Sequence, residues 1–200
     1  MKYVLDRVVA TVLFLLLFPF LIGLSLLVLI SNGRPALFVQ ERVGVNGKPF
    51  RMYKFRTMVH DAVQQGRSTT VRKSDDRITR VGTWLRSWSL DELPQLLNVL
   101  KGEMSLVGPR PTLGYQVAQY TPLQWRRLEM KPGITGWAQV NGRNVLPWSQ
   151  RIELDVWYVD HFSFWLDLRI LWRTVGVFLC REGLYGAGGV NDDFGPPRQP

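Results

Sequence analysis

A charge-free run of 26 residues lies between Arg7 and Arg34 and consists mostly of Leu, Val, Phe and Ile. As a straight helix rising about 1.5 Å per residue, it is long enough to cross a bilayer core of roughly 30 Å. The run is too long for the apolar part of a signal peptide, and turn-forming residues end it at 31–35. The sequence therefore predicts a membrane segment over residues 1–33.

Pro19 lies almost at the middle of this segment. Because proline removes a backbone hydrogen bond, we expect a kink there. Basic residues flank both ends of the segment, and such flanks favour the cytoplasmic side. A helix that breaks at Pro19 and returns to the same face would keep both flanks there, whereas a spanning helix with a harmless proline kink explains the apolar run equally well. The flanking residues are Lys2, Arg7, Arg34, Arg42, Lys48 and Arg51.

A second apolar stretch covers residues 156–181, where Trp, Phe and Leu recur at steps of three and four residues between charged ones. This pattern predicts one amphipathic helix lying in the membrane interface. A core helix of a soluble domain would show the same periodicity. The exposed aromatic side chains of such a helix would suit a bilayer or a second copy of the chain, so a homodimer is possible.

The remaining patterns predict an α/β fold that is mainly helical with little strand. Alternation of apolar and basic residues predicts a strand over 50–58, and we expect helices over 78–87, 94–99 and 121–130. We expect a cytosolic catalytic domain over 34–182, with a mobile loop or lid over 60–76. Residues 183–200 are rich in Gly and Pro and are expected to form an extended or frayed tail.

The charge of the chain is +9, and residues 34–181 alone carry 22 Lys or Arg against 12 Asp or Glu. A strongly basic chain first suggests a nucleic-acid binder. Because the charge follows a membrane segment, anionic headgroups or anionic substrates are better partners than nucleic acid. One Cys and two His exclude an intramolecular disulfide, a Cys-based zinc site and a multi-histidine metal centre within one chain.

Asp91 and Glu92 are adjacent acids beside Pro94, which marks the beginning of a helix. The positive end of the helix dipole would lower their pKa values and keep them ionised. An ionised Asp can attack phosphorus and form an aspartyl phosphate. An ordinary N-terminal cap with acids in its first turn explains the pair as well.

Five cations lie in or near the glycine- and proline-rich segments of this basic region. Arg110 stands between Pro109 and Pro111, and a guanidinium held in this way suits bidentate phosphate binding. Any single member also fits a solvated surface cation. The five candidate phosphate-binding residues are Lys54, Arg56, Arg86, Arg110 and Arg143.

The chain resembles the bacterial sugar transferases, specifically the small monotopic phosphoglycosyl transferases that begin glycoconjugate assembly. The resemblance covers about residues 1–185 and rests on the N-terminal apolar segment with Pro19 and on three further motifs. These motifs are YKFRTM (Tyr53–Met58), LDELPQLLNVLKGEMSLVGPRP (Leu90–Pro111) and KPGITGWAQVNGR (Lys131–Arg143). The long second motif is the most specific of the three.

The resemblance implies transfer of a sugar 1-phosphate from a UDP-sugar to polyprenol (undecaprenyl) phosphate, with release of UMP. It implies that Asp91 attacks the β-phosphorus and forms a covalent aspartyl-phosphosugar intermediate, and that Glu92 assists through metal placement or proton handling. Mg²⁺ would bind near Asp91, and the five cations would bind phosphates.

The resemblance also implies a re-entrant, helix-break-helix membrane segment, with the catalytic domain on the cytoplasmic face of the bacterial inner membrane. The break of the family usually reads Ser-Pro, whereas this chain has Phe18 before Pro19. Two other classes of function compete: a membrane-tethered basic module that binds anionic lipid or nucleic acid, and a scaffold that only anchors partners. Neither alternative needs an acid pair.

Overall fold

The computed structural model describes residues 1–59, 62, 71–72, 75–180, 183, 185–186 and 189–191, and it is mostly helical with few strands. The predicted loop over 60–76 and the predicted tail over 183–200 lie largely outside the described residues. The helices are α1 (Lys2–Asn32), α2 (Arg80–Ser87), α3 (Leu96–Lys101), α4 (Gly114–Val117), α5 (Pro122–Trp125), α6 (Trp137–Val140), α7 (Trp148–Asp160) and α8 (Phe164–Cys180). Short 3₁₀ segments cover Val45–Gly47, Leu90–Gln95, Arg126–Glu129 and Arg143–Val145.

The strands of the described residues form two-stranded sheets. They are β1 (Leu37–Val43), β2 (Pro49–Phe55), β3 (Val71–Arg72), β4 (Ser105–Val107), β5 (Gly133–Thr135) and β6 (Val190–Asn191). β1 pairs antiparallel with β2, β3 antiparallel with β6, and β4 parallel with β5. The expectation of a mainly helical fold with little strand is confirmed.

Helix α1 runs without interruption from Lys2 to Asn32, with Pro19 inside it. Among the described residues, it is the one helix that is long and apolar enough to cross a membrane. One face of α1 packs on the rest of the protein along its whole length, and Pro19 lies on the opposite, exposed face. The inward residues are Asp6, Ala10, Phe14, Leu17, Leu21, Leu24 and Val28.

Polar contacts hold both ends of α1 against the body of the protein. Near its first turn, the Lys2 ammonium pairs with Asp167 of α8, and the Ser105 hydroxyl donates to Asp6. At its last turn, Asn32 Nδ2 donates to the carbonyl of Arg56 at 2.8 Å. A straight helix of this length measures about 46 Å, so the body extends beneath the whole of α1.

The amphipathic stretch over 156–181 forms parts of two helices, so the prediction of one continuous helix is wrong. Helix α7 ends at Asp160, and α8 begins at Phe164. The Ser163 hydroxyl accepts a hydrogen bond from the backbone N–H of Leu166 at 3.2 Å, and this N-terminal cap starts the new helix. The outward face of α8 is apolar, and Trp165 and Trp172 are 77% and 80% exposed.

The parallel pair β4–β5 brings two glycine-rich loops side by side. Gly108 donates to the carbonyl of Thr135, and Gly133 donates to the carbonyl of Pro109, both at 2.9 Å. A Cβ atom added at Gly133 would lie 2.1 Å from the Gly108 nitrogen, so only glycine permits this approach. The loops that follow the two strands carry Arg110 and Arg143 to the same edge of the protein.

We predict that Gly133→Ala lowers the midpoint of thermal unfolding by several degrees, because the new methyl group must push two backbone segments apart. Gly176→Ala is the matched control, since a Cβ atom there meets nothing within 4 Å. The control should leave the midpoint unchanged or raise it slightly, because alanine favours a helix interior. Equal midpoints for the two variants would contradict the close approach.

Candidate active site

The acid pair lies in the 3₁₀ segment Leu90–Gln95, between α2 and α3. Asp91 and Glu92 occupy its first turn, one and two residues inside its beginning. Ser89 precedes the segment with a left-handed backbone (φ 53°), and this turn separates the acids from α2. The prediction of acids in the first turn of a helix is confirmed, although the turn is 3₁₀.

Asn98 ties the acid-bearing segment to β2. Its side chain is fully buried, accepts from the backbone N–H of Tyr53 at 3.1 Å and donates to the Arg51 carbonyl at 2.6 Å. A second donation reaches Glu103 Oε2 at 2.7 Å. Because these bonds fix α3 against β2, they also fix the distance between the acid pair and Lys54.

Glu92 binds two of the predicted cations through a single carboxylate oxygen. Lys54 Nζ lies 2.7 Å and Arg110 Nη2 lies 3.0 Å from Glu92 Oε1. The Lys54 and Glu92 side chains are largely buried, so this contact is far less screened than a surface ion pair. Glu92 therefore joins β2, the acid-bearing segment and the loop after β4.

Asp91 differs from its neighbour because no side chain in the described part of the molecule donates a hydrogen bond to its carboxylate. Its electrostatic neighbours are Lys54, Arg86, Arg110 and Glu92. The carboxylate therefore lies among positive charges but forms no direct ion pair with a described residue. Such a group is available to a ligand or a metal ion.

The environments of the two carboxyl groups shift their pKa values in opposite directions. Burial raises the pKa of Asp91 above its ordinary value, against the attraction of Lys54. Burial also acts on Glu92, but the charges of Arg110 and Lys54 outweigh it and hold its pKa well below the ordinary value. The expectation that a helix dipole lowers the pKa of both acids is wrong for Asp91, because burial outweighs the dipole of one short turn.

Arg143 and Arg86 complete the positive surroundings of the acid pair. Arg143 Nη2 donates to the Ser89 hydroxyl at 3.1 Å, and the backbone of Arg143 is left-handed like that of Ser89 (φ 51°). Arg86 Nη1 is buried and has no hydrogen-bond partner among the described residues. A buried guanidinium nitrogen without a partner among the described residues, close to an uncommitted carboxylate, indicates a site that can bind an anion.

The structure brings four of the five predicted cations to the acid pair and places Arg56 elsewhere. The guanidinium of Arg56 is buried and donates to the backbone carbonyls of Asn32, Gly33 and Arg34, the last at 2.9 Å. Arg56 is not among the charges that shift the pKa of either acid. Its hydrogen bonds give Arg56 a role in holding the end of α1.

Two open pockets meet at Arg110, Gln139 and Arg143. The first pocket is also lined by Asn144, Trp148 and Arg151. The second pocket runs from Glu92 to Val177 and Phe178 of α8. Sequence reasoning missed Gln139, which lies in the motif of residues 131–143 as a polar side chain between Ala138 and Val140.

The acid pair offers few side-chain groups that can bind a metal ion. The described residues contain no group of three or more His, Cys, Asp or Glu side chains placed to hold a metal ion. Mg²⁺ is commonly held by one or two carboxylates together with substrate phosphates and water. The uncommitted carboxylate of Asp91 fits that mode of binding.

The sequence of this chain is similar to those of known sugar transferases. A profile of the bacterial sugar transferases matches residues 1–181. The uncharacterized sugar transferase EpsL of Bacillus subtilis is 54% identical over 152 residues, which make up 76% of this chain and 74% of that protein. A UDP-glucose:undecaprenyl-phosphate glucose-1-phosphate transferase of Caulobacter vibrioides is 43% identical over 192 residues, covering 92% of this chain and 72% of the relative.

An Escherichia coli protein with that same name is 42% identical over 181 residues, but the match covers only 38% of its length. The matched residues 1–181 of this chain include the acid pair, the four surrounding cations and the glycine-rich loops described above. The profile match over nearly the whole length shows that this chain belongs to the bacterial sugar transferase family.

Proposed function

We propose that this protein is a phosphoglycosyl transferase that moves a sugar 1-phosphate from a UDP-sugar to polyprenol (undecaprenyl) phosphate and releases UMP. The names of the Caulobacter and Escherichia relatives describe this reaction with glucose. The observation that carries the proposal is the division of the acid pair into a cation-bound Glu92 and an uncommitted Asp91. A binding module or a scaffold gives no reason for a partly buried carboxylate that no described side chain contacts through a hydrogen bond or an ion pair.

Asp91 is proposed as the nucleophile. One of its carboxylate oxygens attacks the β-phosphorus of the UDP-sugar, and the bond between that phosphorus and the bridging oxygen breaks. UMP leaves with the bridging oxygen, and the phosphosugar stays bonded to Asp91. A phosphate oxygen of polyprenol phosphate then attacks the same phosphorus and restores the free Asp91 carboxylate.

The cations are proposed to bind the phosphates of both substrates. Lys54, Arg86, Arg110 and Arg143 outnumber the two acids, so the site has excess positive charge for an anion. Arg110 and Arg143 line both pockets. A diphosphate that extends from one pocket into the other would contact both guanidinium groups. The depressed pKa of Glu92 disfavours proton handling near neutral pH, and its ion pairs support a role in orienting Lys54 and Arg110.

Mg²⁺ is proposed to bind at Asp91 when the diphosphate is present. When bound, it would offset the negative charge of the phosphates and favour the ionised form of Asp91. The surrounding cations oppose binding of Mg²⁺ to the empty site, so the metal and the UDP-sugar should bind together.

The reaction is proposed to take place on the cytoplasmic face of the bacterial inner membrane, as the first membrane step of glycan assembly. A membrane position suits the substrates, because the lipid acceptor presents only its phosphate at the surface. The second pocket is lined in part by α8, whose outward face carries exposed Trp165 and Trp172. A prenyl chain could approach the acid pair along that face.

The membrane segment is proposed to be re-entrant. Both ends of α1 contact the same polar body, through Asp167 at the first turn and Arg56 at the last. The inward face of α1 packs on that body from Asp6 to Val28, and the outward face is apolar. A helix held in this way keeps both flanks with the body on one side of the membrane, and a re-entrant path requires α1, which is uninterrupted at Pro19, to bend at that residue.

We predict that Asp91→Asn abolishes UMP release, because an amide cannot form the phosphosugar bond. The assay uses purified protein with a UDP-sugar, undecaprenyl phosphate and Mg²⁺, and mass spectrometry looks for the phosphosugar adduct on wild-type protein without acceptor. Asp160→Asn is the matched control, since Asp160 is exposed and pairs with Arg126 away from the acids. Turnover by Asp91→Asn at the wild-type rate would refute the covalent mechanism.

We predict opposite effects on stability when each acid loses its charge. At pH 7, Asp91→Asn should raise the midpoint of thermal unfolding by a few degrees, because it removes a charge whose burial costs free energy. Glu92→Gln should lower it, because it leaves Lys54 and Arg110 without their partner.

The pH dependence of these two differences provides a further check. Because the pKa of Asp91 is raised, the free-energy cost of burying its charge is absent below its ordinary pKa of about 4. Because the pKa of Glu92 is depressed, the stability that its ion pairs provide is lost as the pH falls below about 4. For both variants, the difference in unfolding midpoint from wild type should therefore become smaller as the pH is lowered from 7 to 3.5. Effects of the same sign at pH 7 would argue against the division of roles.

We predict that both ends of α1 face the same side of the membrane. In a Cys180→Ser background, single cysteines are placed directly after Met1, at Arg34 and, as a marker of the body, at Asp160. A membrane-impermeant maleimide should label all three only in inverted vesicles. Labelling of the N-terminal cysteine in right-side-out cells would establish a spanning helix instead.

A further inference from the structure

Gln139 on α6 is a buried amide that the described residues leave without hydrogen bonds. The residue is only 8% exposed, and both Oε1 and Nε2 are shielded from solvent with no partner. A glutamine amide offers two donors and two acceptor lone pairs. Buried side-chain amides in folded proteins nearly always satisfy at least part of this capacity.

The missing hydrogen bonds are costly. Burying an amide without partners costs on the order of 1–3 kcal/mol, and a methionine of similar size would fill the same space without that penalty. The described residues give no structural reason for this amide. Its partner must therefore lie outside the described residues.

The position of Gln139 identifies where that partner binds. Gln139 lines both pockets, and in each it accompanies Arg110 and Arg143. These two cations are the ones proposed to bind the diphosphate. A donor substrate held by them would bring its uncharged groups against the Gln139 amide.

We propose that Gln139 determines specificity for the donor substrate by reading a neighbouring hydrogen-bond donor and acceptor on the UDP-sugar. This inference rests on the proposed function. Two parts of a UDP-sugar carry such a pair: the uracil edge, with an N–H beside carbonyl oxygens, and the sugar ring, with adjacent hydroxyl or acetamido groups. Both match a side chain that can donate and accept at once.

The test compares Gln139→Met with wild type and with Gln119→Met. Gln119 lies outside both pockets and donates to the Tyr115 carbonyl, so it controls for the same change of side chain. Gln139→Met should raise KM for the UDP-sugar about tenfold, the effect expected for one or two lost hydrogen bonds. KM for undecaprenyl phosphate should stay within about twofold of wild type, as it should for Gln119→Met.

Thermal unfolding distinguishes ligand binding from a structural role. If Gln139 serves the substrate, Gln139→Met should leave the midpoint unchanged or raise it, because the variant no longer buries an unsatisfied amide. A structural role predicts a lower midpoint. Addition of the UDP-sugar should stabilise wild type more than Gln139→Met.

Product inhibition and substrate choice tell the two sources of the hydrogen bonds apart. If Gln139 reads uracil, inhibition by UMP should weaken about tenfold in Gln139→Met, and the relative kcat/KM for different UDP-sugars should stay the same. If it reads the sugar, UMP inhibition should not change, whereas the preference among UDP-glucose, UDP-galactose and UDP-N-acetylglucosamine should shift.

A wild-type KM for the UDP-sugar in Gln139→Met would overturn the inference, since a water molecule would then satisfy the amide. So would a lowered unfolding midpoint accompanied by equal loss of activity towards every donor. If wild-type protein releases no UMP from any UDP-sugar, the proposed function fails first and this inference fails with it. The wild-type assay alone separates that outcome from the other two.

Discussion

One carboxylate oxygen organises this site: Glu92 Oε1 receives both Lys54 and Arg110. The three residues come from a strand, a 3₁₀ turn and a proline-flanked loop, so their meeting point fixes three segments that are distant in sequence. Without this negative charge, the buried cations would repel each other and separate. Because Glu92 occupies them, the Asp91 carboxylate has no direct side-chain partner among the described residues. Two adjacent acids of the same chemistry thus have different surroundings, and these suit the separate roles proposed for them.

Local sequence determines the parts of the site that lie on short, rigid segments. Asp91 and Glu92 precede Pro94, and Arg110 stands between two prolines. Because proline restricts the backbone locally, the sequence motif alone predicts how these residues are held. Lys54, Arg110 and Arg143 lie in the family motifs, whereas Arg86 precedes the second motif. The spacing of the motifs does not predict that they meet in one site, whereas the resemblance to a known family does.

Other features depend on tertiary packing and could not be read from the sequence. Arg56 resembles its neighbour Lys54 in the motif of residues 53–58, but docking of α1 presents backbone carbonyls that capture its guanidinium. The break between α7 and α8 depends on a serine cap within an otherwise periodic run. The lack of hydrogen bonds to the Gln139 amide among the described residues results from the surrounding packing, so the sequence pattern does not predict it.

Helix α1 contributes Leu21, Leu24 and Val28 to a cluster that also contains Phe55 and Leu85. Phe55 follows Lys54, and Leu85 precedes Arg86, so the opposite side of this cluster carries two of the charges that surround Asp91. The cluster therefore packs beneath segments whose charged residues surround Asp91. A change that bends α1 would reach the acid pair through this direct packing, so we expect the lipid or detergent around α1 to alter the activity.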